Sequence, residues 1–332
     1  MRVTFFSAKP YDREFFDRLN ADVGFELMYY ETHLGPHIVN AVENSAAICA
    51  FVNDKLDAGV LRVLAEKGVK YIALRCAGFN NLDLEAAKQY GMRVCRVPAY
   101  SPEAVAEHAL AMILTLNRKT HKAYNRVREQ NFALNGLMGF NIHGKTVGIV
   151  GTGNIGQAFA RIMSGFGCTL LATDIRENDE LKALGVRYVP LQHLLAQSDV
   201  ISLHCPLLES TKHLINEASL QQMKPGVMII NTSRGGLIDT PAVIAGLRTK
   251  RIGSLGIDVY EQEEKLFFRD LSHTILNDDT IQLLMSFPNV LVTGHQAFFT
   301  EEALEQIART TLSSLSRLEQ GQAPENPAAL LV

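Results

Sequence analysis

The segment VGIVGTGNIG, residues 147–156, limits what this chain can fold into more than any other stretch. An apolar strand pattern runs straight into G-x-G-x-x-G, and a helical pattern, NIGQAFARIMSGFG, follows without a gap. Strand, glycine turn and helix in that register open a doubly wound parallel sheet. Gly151 permits the tight turn, Gly153 lets a pyrophosphate approach the backbone, and Gly156 lets helix and strand close on each other. The helix start at Asn154 and Ile155 offers free N–H groups and a positive dipole end to phosphate. By itself the pattern is weak; its place between strand and helix makes it strong. Asp174 ends the next strand pattern, TLLATD, 18 residues beyond Gly156. A carboxylate there accepts from a ribose 2′-hydroxyl and repels a 2′-phosphate, so the expected cofactor is NAD rather than NADP. Arg176 works against strictness in that choice.

Apolar strands and amphipathic helices alternate on both sides of this unit. RVTFFS, AAICAFV, YIALRC and MRVCRV read as strands, and LDAGVLRVLAEKG and LDLEAAKQYG as helices closed by glycine. With the motif's own strand, TLLATD, DVISLHCP, GVMIINTSRGG, GSLGIDVYE and NVLVTGH make about six further strands, the number of a full dinucleotide-binding sheet. The fold class is therefore α/β, with parallel sheets covered by helices. Between the two series, one long helix is predicted from Pro102 through EAVAEHALAMILTLNRKTHKAYNRV, with Ser101 as its cap. Its first half is apolar on most sides, which calls for burial between layers or between subunits. A last helix, TEEALEQIARTTLSSLSRLEQG, precedes a tail, QAPENPAALLV, expected to be extended.

Length and composition bound the function. A chain of 332 residues holds two ordinary domains, and 47% apolar with 20% charged residues is globular. A net charge of −3 gives no reason to expect nucleic acid or an anionic membrane as partner. No run approaches the roughly 20 apolar residues of a membrane span, and the N-terminus lacks a signal-peptide pattern. The five cysteines are scattered and contain no C-x-x-C, so reduced thiols and a cytoplasmic location are expected. His33 and His37 are separated by Gly35 and Pro36, which spoils a helical metal pair, and no metal site is expected. Without a G-x-S-x-G elbow, Ser233 is a poor nucleophile.

Three later strand ends carry polar groups at the edge where such sheets bind ligands. MIINTSRGG delivers Arg234, GIDVYEQEE delivers Asp258, Glu261, Glu263 and Glu264, and LVTGH delivers His295. Singly, each is an ordinary surface residue. Together, downstream of a dinucleotide motif, they suit one chemistry. Hydride transfer to a carbonyl leaves negative charge on oxygen, and histidine is the side chain best fitted to supply the proton near neutrality. A neighbouring carboxylate favours the imidazolium form and fixes the ring. Arginine grips a carboxylate with two parallel hydrogen bonds. The set describes a 2-oxo acid substrate. Gly294, before the histidine, is expected to give the turn room, and Phe298 to keep the reacting carbon dry.

At these residues the chain resembles the D-isomer-specific 2-hydroxyacid dehydrogenases. The resemblance spans nearly the whole sequence and rests on VGIVGTGNIG, HCP at 204–206, NTSRGG at 231–236, DVYEQE at 258–263 and GHQAF at 294–298. YIALRCAGFNNLDL, VPAYSPEAVAEHALAMILTLNR and LFF resemble the branch that interconverts pyruvate and D-lactate. What the resemblance implies is as follows. Arg234 binds the substrate carboxylate, His295 is general acid in reduction and base in oxidation, and Glu263 is its partner, selected over Glu261 and Glu264 by the family's spacing. Asp258 holds the nicotinamide carboxamide, and Cys205, Pro206, Thr211, Thr232 and Ser233 line the cofactor site, although Thr211 stands where relatives often carry Asn. Backbone N–H groups near Ala77 and Gly78 help hold the carboxylate, and Tyr100 and Phe298 enclose the small side chain. Two α/β lobes flank a cleft, with residues 1–100 and 299–332 forming the substrate lobe and 101–298 the dinucleotide lobe. The partner is pyruvate or D-lactate, in a homodimer or homotetramer. Longer or branched 2-oxo acids are the alternative substrates, and an NAD-sensing interaction protein of the corepressor kind is the alternative from another class.

Overall fold

The computed structural model describes residues 1–332, the side chain of Lys265 excepted. The chain divides into two units, Met1–Ser101 with Phe299–Val332, and Pro102–Phe298.

The first unit begins β1 (Arg2–Phe5), α1 (Pro10–Asn20), β2 (Glu26–Tyr29), β3 (Ala47–Ala50), α2 (Ala58–Glu66), β4 (Tyr71–Leu74), α3 (Leu84–Gln89) and β5 (Arg93–Arg96). Its strands lie parallel in the order β2-β1-β3-β4-β5, the flavodoxin-like arrangement. β3 is buried along its length because helices cover both faces, whereas β2 is an edge strand with alternating exposure. That edge strand, ELMY, is absent from the sequence reading. Asp57 and Asp83 cap α2 and α3 by accepting from the amides of Val60 and Ala86.

The second unit comprises α4 (Pro102–Arg118), α5 (Thr120–Arg128), β6 (Thr146–Val150), α6 (Asn154–Ser164), β7 (Thr169–Thr173), α7 (Asp179–Ala183), β8 (Arg187–Tyr188), α8 (Leu191–Gln197), β9 (Val200–Leu203), α9 (Glu217–Gln222), β10 (Val227–Asn231), α10 (Thr240–Arg248), β11 (Ile252–Ile257), α11 (Asp279–Ser286) and β12 (Val290–Val292). All its strands are parallel, in the order β12-β11-β10-β9-β6-β7-β8. The chain reverses direction across the sheet between β6 and β9, the switch point at which such sheets bind ligands. Six strands match those expected; the seventh, β8, has two residues and too short an apolar signal to be read. The chain then re-enters the first unit through α12 (Glu301–Glu319), capped by Thr300 and packed on α1, β4 and β5. In the tail, Pro327–Ala329 form a 3₁₀ turn before Leu330 pairs antiparallel with Cys95.

The long helix predicted after Pro102 is two helices. Lys119 adopts φ +50 and ends the first, a left-handed conformation that breaks the hydrogen-bond ladder. The apolar stripe of α4 is used between layers: Ala106, Ala109, Met112, Ile113 and Leu116 join the core formed with β6, α6 and β10. Each large side chain so buried contributes roughly 1.5–3 kcal/mol of transfer free energy. The seat on the sheet is Gly256 in β11, where a Cβ would stand 2.8 Å from Ile230 Cδ1, 3.1 Å from Leu116 Cδ1 and 3.4 Å from Met112 Cε. Gly256→Val should therefore lift α4 from the sheet and cost about 1–3 kcal/mol by overpacking. Denaturant unfolding would check this, and an unchanged midpoint would show that the helix does not depend on that close approach.

Candidate active site

Because the strands of the Pro102–Phe298 unit are parallel, their carboxyl ends share one edge, and the expected residues emerge there in strand order. β6 is followed by Gly151 at φ +92; a Cβ there would stand 2.6 Å from the amide nitrogen of Cys205. A Cβ on Gly156 would overlap the Gly151 carbonyl oxygen, so helix and strand do close on each other at this point. Gly153, by contrast, has open space where its Cβ would be, and the amides of Asn154 and Ile155 follow at the start of α6. Asp174 accepts from the Thr152 amide at 2.5 Å and from Arg176 N at 3.1 Å. Burial pushes its carboxyl up, but these bonds outweigh burial and hold it below the ordinary value.

The other side of the switch point is His204–Pro206. His204 lies under the glycine turn with its ring 4.9 Å from Phe159, and burial pushes it down to about 3. Cys205 is buried, its thiol pushed up to about 11 by that burial, which makes it packing rather than nucleophile. Its carbonyl accepts from Ser233 Oγ at 2.7 Å. Thr211 Oγ1 donates to Pro206 O at 2.7 Å and closes the loop between them. Thr232 Oγ1 and His204 Nδ1 are buried without a hydrogen-bond partner in the protein. Buried polar atoms of that kind are rare and suit a polar ligand. With the space at Gly153 and the free helix start, they make a site that fits a dinucleotide.

β10 delivers Arg234, whose carbonyl accepts from Asn231 Nδ2 at 2.8 Å. Gly235 follows because a Cβ there would overlap the backbone of Tyr260 and Glu261, so this turn lies directly on the segment after β11. On that segment three glutamates part company. Glu261 accepts from Thr240 N at 3.1 Å and pairs with His213 Nε2 at 2.8 Å. Glu264 is exposed and borders a cavity of about 540 Å³ with Leu266, Leu271 and Ile275. Only Glu263 meets the histidine: its Oε1 lies 3.0 Å from His295 Nδ1, while Oε2 accepts from the Tyr260 amide at 2.9 Å.

The turn after β12 corrects one expectation. Gly294 has no left-handed φ and open space beside it; the left-handed residue is His295 itself, at φ +54. That conformation costs a residue other than glycine on the order of 1 kcal/mol. It is held by Asp258, which is 0% exposed. The Asp258 carbonyl accepts from His295 N at 2.8 Å, and its carboxylate accepts from Gln296 N and Ala297 N, each at 2.9 Å, and from Thr293 Oγ1. His108, from α4, adds Nε2 at 3.5 Å from Asp258 Oδ1 and 3.1 Å from Thr293 Oγ1. Burial pushes the Asp258 carboxyl up, but the bonds from His108, Thr293, Ala297 and Gln296 prevail and leave it below its ordinary value. Its visible task is to fix the turn that aims His295, a task the sequence did not show. Phe268, at φ +63, sets its ring 5.5 Å from that of His295. The sequence points to a site role for neither His108, a polar residue in an apolar helix, nor Phe268, the last residue of the LFF run. Phe298 is buried at the end of this unit.

Ala77, Gly78 and Tyr100 belong to the first unit. Ala77 O accepts from Arg96 Nη1 at 2.7 Å and Gly78 O from Cys76 Sγ at 3.2 Å. His33 Nδ1 is engaged with Ser7 Oγ at 2.6 Å. Among the described residues no cluster of three or more His, Cys, Asp or Glu side chains could hold a metal, and no helix is long and apolar enough to cross a membrane.

Residues 110–297 match the family described as D-isomer specific 2-hydroxyacid dehydrogenase, NAD binding domain. The D-lactate dehydrogenase of Escherichia coli K12 is 52% identical over 326 residues, 98% of this chain and 99% of that one. The solved apo-structure of D-lactate dehydrogenase from Escherichia coli superposes with a TM-score of 0.92 at 50% identity over the whole of both chains. A D-lactate dehydrogenase with NAD⁺ from Lactobacillus jensenii matches with a TM-score of 0.84 at 30% identity, again over the whole of both chains.

The Asp258 lock has a pH signature. A carboxyl held below its unfolded value of 3.8 contributes stability above that pH and loses it as the pH falls through the folded value. The melting temperature of the wild type should drop more steeply on acidification from about pH 5 to pH 3 than that of Asp258→Asn, whose unfolding free energy should be lower by about 1–3 kcal/mol at neutrality. Parallel pH profiles of the two proteins would show that this carboxylate is not the group responsible.

Proposed function

This chain belongs to the D-isomer-specific 2-hydroxyacid dehydrogenase family and is an NAD-dependent oxidoreductase of the α/β class; from that premise we propose that it reduces pyruvate to D-lactate with NADH, reversibly. The observation that carries the reading is the 3.0 Å His295–Glu263 pair, at the sheet edge where the next strand but one ends in Arg234. The names of the relatives add the substrate.

When bound, NADH supplies the hydride. Its pyrophosphate is held by the Gly151–Gly156 turn and the start of α6, its ribose by Asp174, and its remaining polar groups by Thr232 and the Cys205–Thr211 loop. The protein's own part begins with the substrate carboxylate, gripped by the Arg234 guanidinium and by backbone N–H groups at Ala77 and Gly78. Gripping that end orients the ketone and polarises it. As the carbonyl carbon is reduced, its oxygen takes a proton from Nε2 of His295, because Nδ1 is committed to Glu263. Glu263 stabilises the imidazolium before transfer and keeps the ring aimed afterwards. In lactate oxidation the same nitrogen takes the proton back. Phe268 shields the imidazole on one side, and Tyr100 and Phe298 are assigned to the methyl group of the substrate.

His295→Ala should lower turnover by about 10²–10⁴-fold with NADH affinity preserved, and Arg234→Ala should cut kcat/KM for pyruvate by about 10–100-fold or more. Steady-state kinetics with pyruvate, phenylpyruvate and 2-oxoisocaproate, with each of NADH and NADPH and with the product's chirality determined, tests the whole reading. A preference for the longer acids would transfer the assignment to them. Near-wild-type turnover in His295→Ala would remove the acid.

The oligomer is also a proposal, and its seat differs from the apolar face of α4, which is spent inside the unit. Exposed apolar side chains follow immediately: Phe132 is 71% exposed, Leu134 80% and Met138 88%, with Tyr124 and Val127 beside them in sequence. Such a concentration marks a protein contact surface. We assign it to a second copy of the chain in a homodimer or homotetramer. Phe132→Ser with Met138→Ser should shift sedimentation toward the monomer, and an unchanged mass would place the contact elsewhere.

A further inference from the structure

Arg75 is among the largest buried side chains of the protein, 2% exposed, one residue beyond β4. Its amide continues the sheet by donating to Ala50 O at 3.1 Å. Its guanidinium gathers the carboxyl ends of the neighbouring strands. Nη2 donates to Ser7 O at 2.8 Å, just past β1, and to Asp12 Oδ2 at 3.3 Å, while Nε donates to Asp12 Oδ1 at 3.2 Å in the first turn of α1. The same group lies 4.9 Å over the Phe51 ring, just past β3. Asp54, also buried, accepts from Ser7 Oγ and Phe51 N, each at 2.6 Å, and from Leu34 N at 2.7 Å. Burial works against the guanidinium's charge, but Asp12, with Cys49 and Asp54, overcomes it and holds the group protonated. An ion pair this deep stabilises a fold no better than apolar packing of the same volume. Its place in the chain is the telling feature, since the next residues are Cys76, Ala77 and Gly78.

That loop is pinned from its far side too. Val97 N donates to Cys76 O at 3.2 Å, Arg96 Nη1 to Ala77 O at 2.7 Å, and Cys76 Sγ to Gly78 O at 3.2 Å. Its carbonyls are thus occupied within the unit. We propose that Arg75 is a positioning residue: clamped to Asp12 and Ser7, it fixes the root of the Cys76–Gly78 loop so that the loop's backbone N–H groups meet the substrate carboxylate. The inference rests on the assignment of Ala77 and Gly78 made above.

Arg75→Lys, which keeps the charge and loses the planar fork, and Arg75→Met, which loses both, provide the test. The readouts are KM for pyruvate, the inhibition constant of oxamate, and NADH affinity by fluorescence titration. Both KM and the oxamate constant should rise together by about ten- to hundredfold, more in Arg75→Met, with NADH affinity held within about twofold. A purely structural role would lower the active fraction, hence kcat, and leave KM and the oxamate constant where they were; that result overturns the proposal. If neither variant folds, Asp12→Asn leaves the guanidinium in place with one anchor weakened, and the same readouts decide. A wild-type protein that reduces no 2-oxo acid would sink the proposed function, whereas an active wild type with an oxamate constant insensitive to all three substitutions would sink this inference alone.

Discussion

A carboxylate withdrawn from water has to find donors, and Asp258 finds them in the segment that carries His295. The desolvation of such a group would cost several kcal/mol if it went unanswered. Here two backbone amides and a threonine hydroxyl answer it from residues 293–297, and an imidazole answers it from α4. The same carbonyl–amide contact that closes the turn, His295 N to Asp258 O at 2.8 Å, holds the histidine in its left-handed conformation. Strain of about 1 kcal/mol at one residue is small against that set of bonds. The backbone turn that carries the imidazole is therefore fixed from behind by the protein itself.

Parallel topology makes this arrangement possible. In each unit the strands deliver their ends to a single edge, and polar chemistry accumulates there because the faces of the sheet are filled by helices. In the Pro102–Phe298 unit the edge is organised by an aspartate, and in the other by the Arg75–Asp12 pair. Both are charges placed where strand ends would otherwise diverge. Arg75 stands out in the sequence as no more than a polar residue after an apolar run, and the turn-fixing task of Asp258 is equally invisible there.

What the sequence made legible follows from where the signals are local. The glycine turn could be read because turn, close approach and helix packing all require glycine within six residues, Gly151 to Gly156. Six strands of the second unit were legible as continuous apolar runs, as suits strands covered on both faces. β2 and β8 were not, being an edge strand with alternating exposure and a two-residue pairing. The break at Lys119 has no glycine or proline to announce it. Likewise the strain at the turn fell on His295 rather than Gly294 because the constraint comes from Asp258, 37 residues away, and not from the neighbouring residue. His108 is farther still, and nothing in an apolar helix reveals that one of its residues serves a strand end on the opposite side of the sequence.

The glutamates show the same limit at closer range. Glu261, Glu263 and Glu264 occupy a short non-regular segment, where no periodicity says which way a side chain points. Partners settle it. Glu261 is drawn to the start of α10 and to His213, which anchors the segment. With that anchor set, the Tyr260 amide can hold one oxygen of Glu263 and leave the other for His295. A carboxylate fixed at one oxygen by backbone has little rotamer freedom left to lose when it pairs. Its bond to the imidazole is correspondingly directional, and Gly235, packed on Tyr260 and Glu261, carries that fixity across to the strand end that bears Arg234. The strand end that bears Arg234 and the segment that holds Glu263 against the imidazole are thus joined by one backbone contact, so that a substitution enlarging Gly235 would disturb both at once.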